Sequence, residues 1–320
     1  MDVLTIGEVL VEFVRKGKGF SHRAIGEYAG PFPSGAPAIF ADTAARLGLG
    51  SGIAGSVGRD DFGALLTKRL SDDNVNTTCL LINDKYATGT AFVTYYSSGE
   101  RAFVYNLKHS AAAQLRPSDI DQDFVRSARA LLIMGSTLTL GYTMREACYK
   151  AVRIASKSGM IIVYDPNVRT ELAEPKLMRK ISSPVLNAAE IVMPSKKELL
   201  DLTGRKTPEE AADRVFKHGV KCLILKLGQE GSVAMTKQRR TFRPAYDVQE
   251  VDPTGAGDAF DAAALYGYLR DDPLDTLLDF ANAVGALKVT RVGPMEVPGS
   301  LSEVTAFMRE SSKRQSRGMR

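Results

Sequence analysis

The chain of 320 residues has only three cysteines, three histidines and no apolar run near the length of a membrane span. Cys79, Cys148 and Cys222 are odd in number and far apart. Neither a disulfide framework nor a zinc site is expected, and the thiols read as buried side chains in a reducing cytoplasm. His22, His109 and His218 are just as scattered, which argues against a histidine metal site. No apolar stretch approaches the ~20 residues of a membrane helix, so no membrane partner is expected. Asp2 and Glu8 interrupt the N-terminal apolar stretch, so a secretory signal is not expected either. Walker A, G-x-S-x-G and H-E-x-x-H sequences are missing. A formal G-x-G-x-x-G, GSGIAG at 50–55, falls between a helix and a strand. A dinucleotide fingerprint needs the opposite order, so this one reads as a loop.

What is present is ordinary globular composition, 44% hydrophobic and 25% charged, enough for a large core. The net charge of +5 sits mostly at the end. Residues 311–320, SSKRQSRGMR, carry four basic residues and no acid; without them the balance is +5 − 4 = +1. This is the composition of a solvated, disordered tail, and no aromatic-basic interleaving suggests a nucleic-acid partner.

Periodicity supplies the architecture. VLTIG (3–7) reads as a buried strand, 36–48 as a helix stopped by Gly48, and SGIAGSVG (51–58) as a strand. A helix at 62–74 follows, then β-type sequence over 88–106, with SSGE (97–100) as a hairpin turn. From about residue 120 strands and helices alternate, ending in two helices at 257–271 and 273–290. That order predicts a three-layer α/β/α, doubly wound, mostly parallel sheet. The segments 9–32 and 85–108 break the alternation and predict a small β-sheet lid on a single domain over 1–310.

The densest chemistry is in VDPTGAGDAF, residues 251–260. Gly255, Ala256 and Gly257 let successive backbone N–H groups converge, and the helix that follows adds unpaired N–H groups and a positive dipole end. Together these make a phosphate site. Asp258 can be the helix N-cap, or the general base that takes a proton from an alcohol attacking phosphorus. Asp261, one turn on, is the secondary candidate.

DPTGAGDAFDAAAL (252–265) resembles the C-terminal signature of the ribokinase, or PfkB, family of sugar kinases. TIGEVLVEF, PSGAPAIFADTAARLG, GSVGRDDFG, GERAFVYNLKHSAAAQL, YDPNVR, SKKELLDLTG, LKLGQEGS and FANAVGAL follow the family order, so the resemblance spans roughly residues 1–300. It implies a ribokinase-like fold, ATP and Mg2+ as cofactors, and a small-molecule sugar as substrate. By position it implies Asp258 as base and the Gly255, Ala256 and Gly257 amides as the anion hole. Ser195 and Glu198 stand in a degenerate N-x-x-E motif, with Glu198 holding magnesium through water. Lys226, Gly228 and Gly231 would line the nucleotide phosphates and ribose, and Asn282 the adenine. Glu12, Gly35, Asn106 and Arg169 match sugar-binding positions. Asp252 and Thr254 match a monovalent-cation (K+) site built from backbone oxygens.

The departures concern the sugar. Ser34, Gly35 and Ile39 stand in a motif that usually reads Gly-Gly-x-x-Ala-Asn, and Glu12 stands where Asp is usual. Leu107 stands where 2-keto-3-deoxygluconate kinases often carry Arg, which disfavours an acid sugar. The pattern is similar to a tagatose- or fructose-kinase branch. The alternatives are 2-keto-3-deoxygluconate kinase, ribokinase or nucleoside kinase, and a non-catalytic sugar sensor. Tyr95, Tyr96 and Tyr105 read as sheet-packing or dimer contacts, and an apolar outer lid face would support a homodimer through the lid.

Overall fold

A computed structural model describes residues 1–97, 100–169 and 171–318, with residues 312–318 in backbone only. In chain order the elements begin β1 (Val3–Ile6), β2 (Leu10–Arg15), β3 (Tyr28–Ser34), α1 (Ala36–Arg46), β4 (Ser51–Gly58), α2 (Asp61–Asp72) and β5 (Asn76–Asn83). Then come β6 (Gly89–Tyr95), β7 (Arg101–Asn106), α3 (Gln122–Arg126), β8 (Ala130–Met134), α4 (Gly135–Leu138), α5 (Tyr142–Lys157) and β9 (Ile161–Asp165). The chain continues as α6 (Pro175–Leu186), β10 (Ile191–Val192), α7 (Lys196–Thr203), α8 (Pro208–Phe216), β11 (Cys222–Lys226) and β12 (Ser232–Met235). It ends as β13 (Arg240–Arg243), α9 (Ala256–Tyr268), α10 (Leu274–Val289) and α11 (Leu301–Gly318).

Nine strands form the main sheet in the order β13-β12-β11-β10-β9-β8-β1-β4-β5. It is parallel from β11 to β5; only the β12 and β13 edge is antiparallel. The strands are short aliphatic runs because both faces are covered. In β8, Leu131 and Ile133 enter one core while Ala130, Leu132 and Met134 enter the other. Local chemistry starts and stops the helices. Asp60 caps α2 by accepting from Gly63 N at 2.8 Å. Ser195 and Glu198 form a capping box on α7, which Gly204 ends at φ 67°.

The second sheet, β3-β2-β6-β7, is the lid expected from the two irregular segments. β2 pairs antiparallel with β3 and parallel with β6, and β6 and β7 form a hairpin. The expected turn at 97–100 has its middle residues, 98 and 99, outside the described ones. Only three residues separate β1 from β2, so the lid stands directly over the carboxyl end of β1. The expectation for the tail 311–320 falls largely outside the described side chains; the α11 backbone runs to Gly318. Among the described residues no helix is long and apolar enough to cross a membrane. Cys148 and Cys222 are buried, Cys79 is half-buried, and all three are free.

Candidate active site

β1 neighbours both β4 and β8, so helices leave to opposite faces around it and a crevice opens at the carboxyl ends of these strands. The cleft there is lined by Gly35, Asn167, Arg169, Gly255 and Asp258 from below, and by Glu12, Arg101, Phe103, Tyr105 and Leu107 of the lid segments. A larger cavity of about 990 Å³ lies beside it, against the outer lid. Chemistry separates the two, because the buried carboxylates and the open helix end converge on the smaller cleft.

Gly255 is the N-cap of α9, in the left-handed region at φ 85°. A Cβ there would sit 2.4 Å from Pro294 O, so the turn needs glycine twice over. No side chain caps α9. Its first-turn N–H groups are therefore left without a side-chain partner, which is the chemistry of a candidate anion site. Asp258 is not the N-cap; it lies inside the first turn, 6% exposed, and accepts from Asn167 Nδ2 at 3.2 Å. Burial, the largest influence, pushes its carboxyl up to about 7; Arg169 opposes this and Asp165 reinforces it. A carboxyl held near neutrality is matched to taking a proton from an alcohol.

Asn167 has φ 35°, a left-handed conformation that Asn tolerates better than most residues. Asp165 holds that turn, accepting from Asn167 N at 3.0 Å. The other Asp165 oxygen accepts from Lys226 Nζ at 3.2 Å, and Lys226 also donates to Asp261 at 2.9 and 3.0 Å. Burial opposes the Lys226 charge, but Asp165 and Asp261 hold its pKa well above the usual range. Sequence reading passed over Asp165 and Asn167, although both stand in YDPNVR.

On the lid side of the cleft, Glu12 Oε2 accepts from Ser34 Oγ at 3.3 Å. Glu12 Oε1 and Asn167 Oδ1 are buried without a hydrogen-bond partner. Burial first, then Asp252, raises the Glu12 carboxyl to about 7. Gly35, at φ 110°, brings the start of α1 against the β1–β2 connection; a Cβ would meet Glu8 O at 2.4 Å. Glu8, also missed, accepts from Ser136 Oγ at 2.8 Å and Thr137 Oγ1 at 2.5 Å. Arg169 and Arg101 each place a guanidinium 5.8 Å from the Phe103 ring centre.

A family model described as pfkB family carbohydrate kinase matches residues 1–299. The chain belongs to the pfkB family of carbohydrate kinases. It is 33% identical to fructokinase-1 of Oryza sativa subsp. japonica over 312 residues, covering 94% of this chain and 95% of the relative. A structure of an E. coli protein provisionally named ribokinase II, in complex with ATP and Mg2+, superposes with TM-score 0.90 at 39% identity. The match covers 97% of this chain and 99% of that one. A double-mutant fructokinase of Vibrio cholerae O395 bound to fructose, ADP and potassium ion gives TM-score 0.85 at 27% identity, covering 96% and 98%.

Several positions carried over from the family sit differently in this kinase. Asn106 does not face the cleft. Along β7 the alternation sends Arg101, Phe103 and Tyr105 inward, and Asn106 outward to Thr90 Oγ1 at 3.4 Å. Tyr105 therefore lines the site instead of merely packing the sheet. Tyr95 joins the lid to the loop before α9, its hydroxyl 2.6 Å from both Asp252 Oδ1 and Thr254 Oγ1. Lys226 turns inward under α9 to its two carboxylates, although its Nζ stays 3.8 Å from where a Gly257 Cβ would be. Asn282 spends its amide on Ser232 Oγ, Arg243 O and Pro244 O, bracing the wall beside the β11–β12 turn that carries Gly228 and Gly231. Each Glu198 oxygen accepts a backbone N–H, from Ser195 at 2.8 Å and Val168 at 3.0 Å. Among the described residues no group of three or more His, Cys, Asp or Glu could hold a metal ion. The Asp252 carboxylate is likewise taken, by Tyr95, Thr254 N and Gly293 N, and its carbonyl by Lys288 Nζ. In this structure the oxygens at Asp252 that the resemblance assigned to potassium are thus engaged by Lys288 and by these N–H and O–H donors.

Proposed function

We propose that this kinase phosphorylates a ketohexose of the fructose or tagatose type, using ATP. The observation that carries the reading is the pair of unpartnered buried oxygens, Glu12 Oε1 and Asn167 Oδ1, on the cleft that holds Asp258. A buried acceptor without a partner is costly, and a polyol supplies the missing O–H donors. The fructokinase relatives point to the same substrate class.

Asp258 accepts the proton of the sugar hydroxyl while that oxygen forms its bond to the γ-phosphorus. The bond from γ-phosphorus to the bridging oxygen breaks, and ADP leaves. The amides of Gly255, Ala256 and Gly257 receive the charge on the transferring group. The uncapped start of α9 fits the anionic phosphates. Gly228 is open to a close approach of the nucleotide, and Gly231 shapes the same turn, where a Cβ would sit 2.1 Å from Arg243 O. Magnesium, when bound, would neutralise phosphate charge, and Glu198, whose oxygens keep further lone pairs beside their two backbone N–H bonds, would hold it through water. The lid excludes bulk water, with Tyr95 as its latch.

The test is ADP release with fructose, tagatose, psicose, 2-keto-3-deoxygluconate, ribose and nucleosides. Release with a ketohexose supports the reading, and no acceptor-dependent release with any of them refutes it. A second reading, a keto sugar acid, gains from Arg101 and Arg169 both lining the cleft, although Leu107 fills the position of the usual arginine. Preference for 2-keto-3-deoxygluconate in the same panel would select it. We also propose a homodimer through the lid, whose outer face carries Phe13 stacked on Phe92 and a 46% exposed Val104.

A further inference from the structure

Lys288 lies at the end of α10 and is completely buried. Its Nζ donates to Asp252 O at 2.8 Å and to Arg291 O at 3.3 Å, and lies 3.8 Å from Asp252 Oδ2. Two carbonyls and a carboxylate oxygen, drawn from two loops, are a donor set for a hard cation of single charge. An ammonium group is about the size of a potassium ion and satisfies the same oxygens.

Both loops belong to the candidate catalytic apparatus. Asp252 begins the segment that turns at Gly255 into α9. Its carboxylate also binds Thr254 N, Gly293 N and the lid hydroxyl of Tyr95. Arg291 begins the loop whose Pro294 O packs against Gly255. Val251 N and Asp252 N both donate to Val289 O, at 2.7 and 3.0 Å, so the end of α10 sits directly beneath the anion loop. Burial lowers the Lys288 pKa, while Asp252, then Glu12 and Glu296, oppose that shift.

We infer that Lys288 is a tethered monovalent cation: its ammonium occupies the position of a loop-bracing ion, making phosphoryl transfer independent of potassium. Lys288 is a positioning residue, acting through Asp252 and the 290–294 loop on the amides at the start of α9. The inference rests on the kinase reading for its activity readout, and the thermal readout stands apart from it.

The full chain is assayed for ADP formation in tetramethylammonium buffer, with and without KCl, NaCl or NH4Cl. Wild type is expected to change by less than about two-fold, while Lys288→Ala is expected to lose about 100-fold and to regain at least about ten-fold with potassium or ammonium. In parallel, thermal denaturation of Lys288→Ala is expected to shift upward with potassium, and that of wild type to stay fixed. A structural brace alone would not give cation-specific rescue. Activation of wild type by potassium beyond about ten-fold overturns the inference, as does a folded Lys288→Ala that is fully active without added cation or that no cation rescues. If Lys288→Ala does not fold, the wild-type salt exchange alone decides. If no acceptor gives ADP, the kinase reading fails, and the two melting series still decide whether Lys288 fills a cation site.

Discussion

Replacing Asp258 with Asn separates catalysis from stability. The amide keeps the size of the carboxyl, and its oxygen can still accept from Asn167 Nδ2, 3.2 Å away in the native site. Activity should fall by about 10²–10⁴-fold, the usual contribution of a positioned base. Stability should move the other way. The carboxyl rises from its ordinary 3.8 to about 7 on folding. Ionising it in the native protein therefore costs about 4 kcal/mol, at about 1.4 kcal/mol for each tenfold. The sign follows from linkage: the folded state holds the proton more tightly than the unfolded chain. The cost is absent below pH 3.8, grows between 3.8 and about 7, and is complete above that. Asp258→Asn should thus melt a few degrees higher than wild type at pH 8, up to about 6 °C for a chain of this size. The gain should shrink by more than half at pH 5. Scanning calorimetry of both proteins without ligand at the two pH values measures this. Equal or lower melting of the variant at pH 8, or the same gain at both pH values, would refute the buried, strained base. Near wild-type turnover would remove Asp258 from the chemistry.

The acid side of the kcat/KM profile should break near pH 7, since Asp258 and Glu12 both sit at about 7. With both needed as carboxylates the limb falls roughly as the square of proton concentration, and Glu12→Gln should return it to first order; a rate flat from pH 5 to 8 contradicts both assignments. Tyr95→Phe removes the hydroxyl bridging the lid to Asp252 and Thr254, and should raise the sugar KM several-fold with a smaller change in kcat, as initial-rate kinetics will read. Lys226→Met strands Asp165 and Asp261 in the core and should cost about 3–5 kcal/mol in urea denaturation; a loss under about 1 kcal/mol would mean the cluster is not held as an ion pair. Val104→Asp on the outer lid should convert a lid-paired dimer to monomer in sedimentation, and an unchanged sedimentation coefficient rules out that interface.

The sequence by itself determined the parts that depend on neighbours along the chain. Aliphatic runs alternating with amphipathic stretches specified a covered parallel sheet. Interruptions of that alternation marked the lid. A glycine-bearing turn running into a helix marked the candidate anion site, because backbone conformation and helix ends are local properties. The tertiary structure decided what each polar side chain faces. Asn106 turned outward because the register of β7 set the faces, and register is fixed by pairing with β6. Lys226 was drawn away from the cleft by Asp165 and Asp261, which approach from 61 and 35 residues away. Asn167 and Asp165 stand together in YDPNVR, yet their contacts arise only when the turn after β9 meets the first turn of α9. In sequence Lys288 is one lysine near the end of a helix, and only the meeting of two loops at its ammonium gives it a cation's place. Charge pairing and burial are contacts across the fold, so the residues that tune this site became legible only after the chain had closed around them.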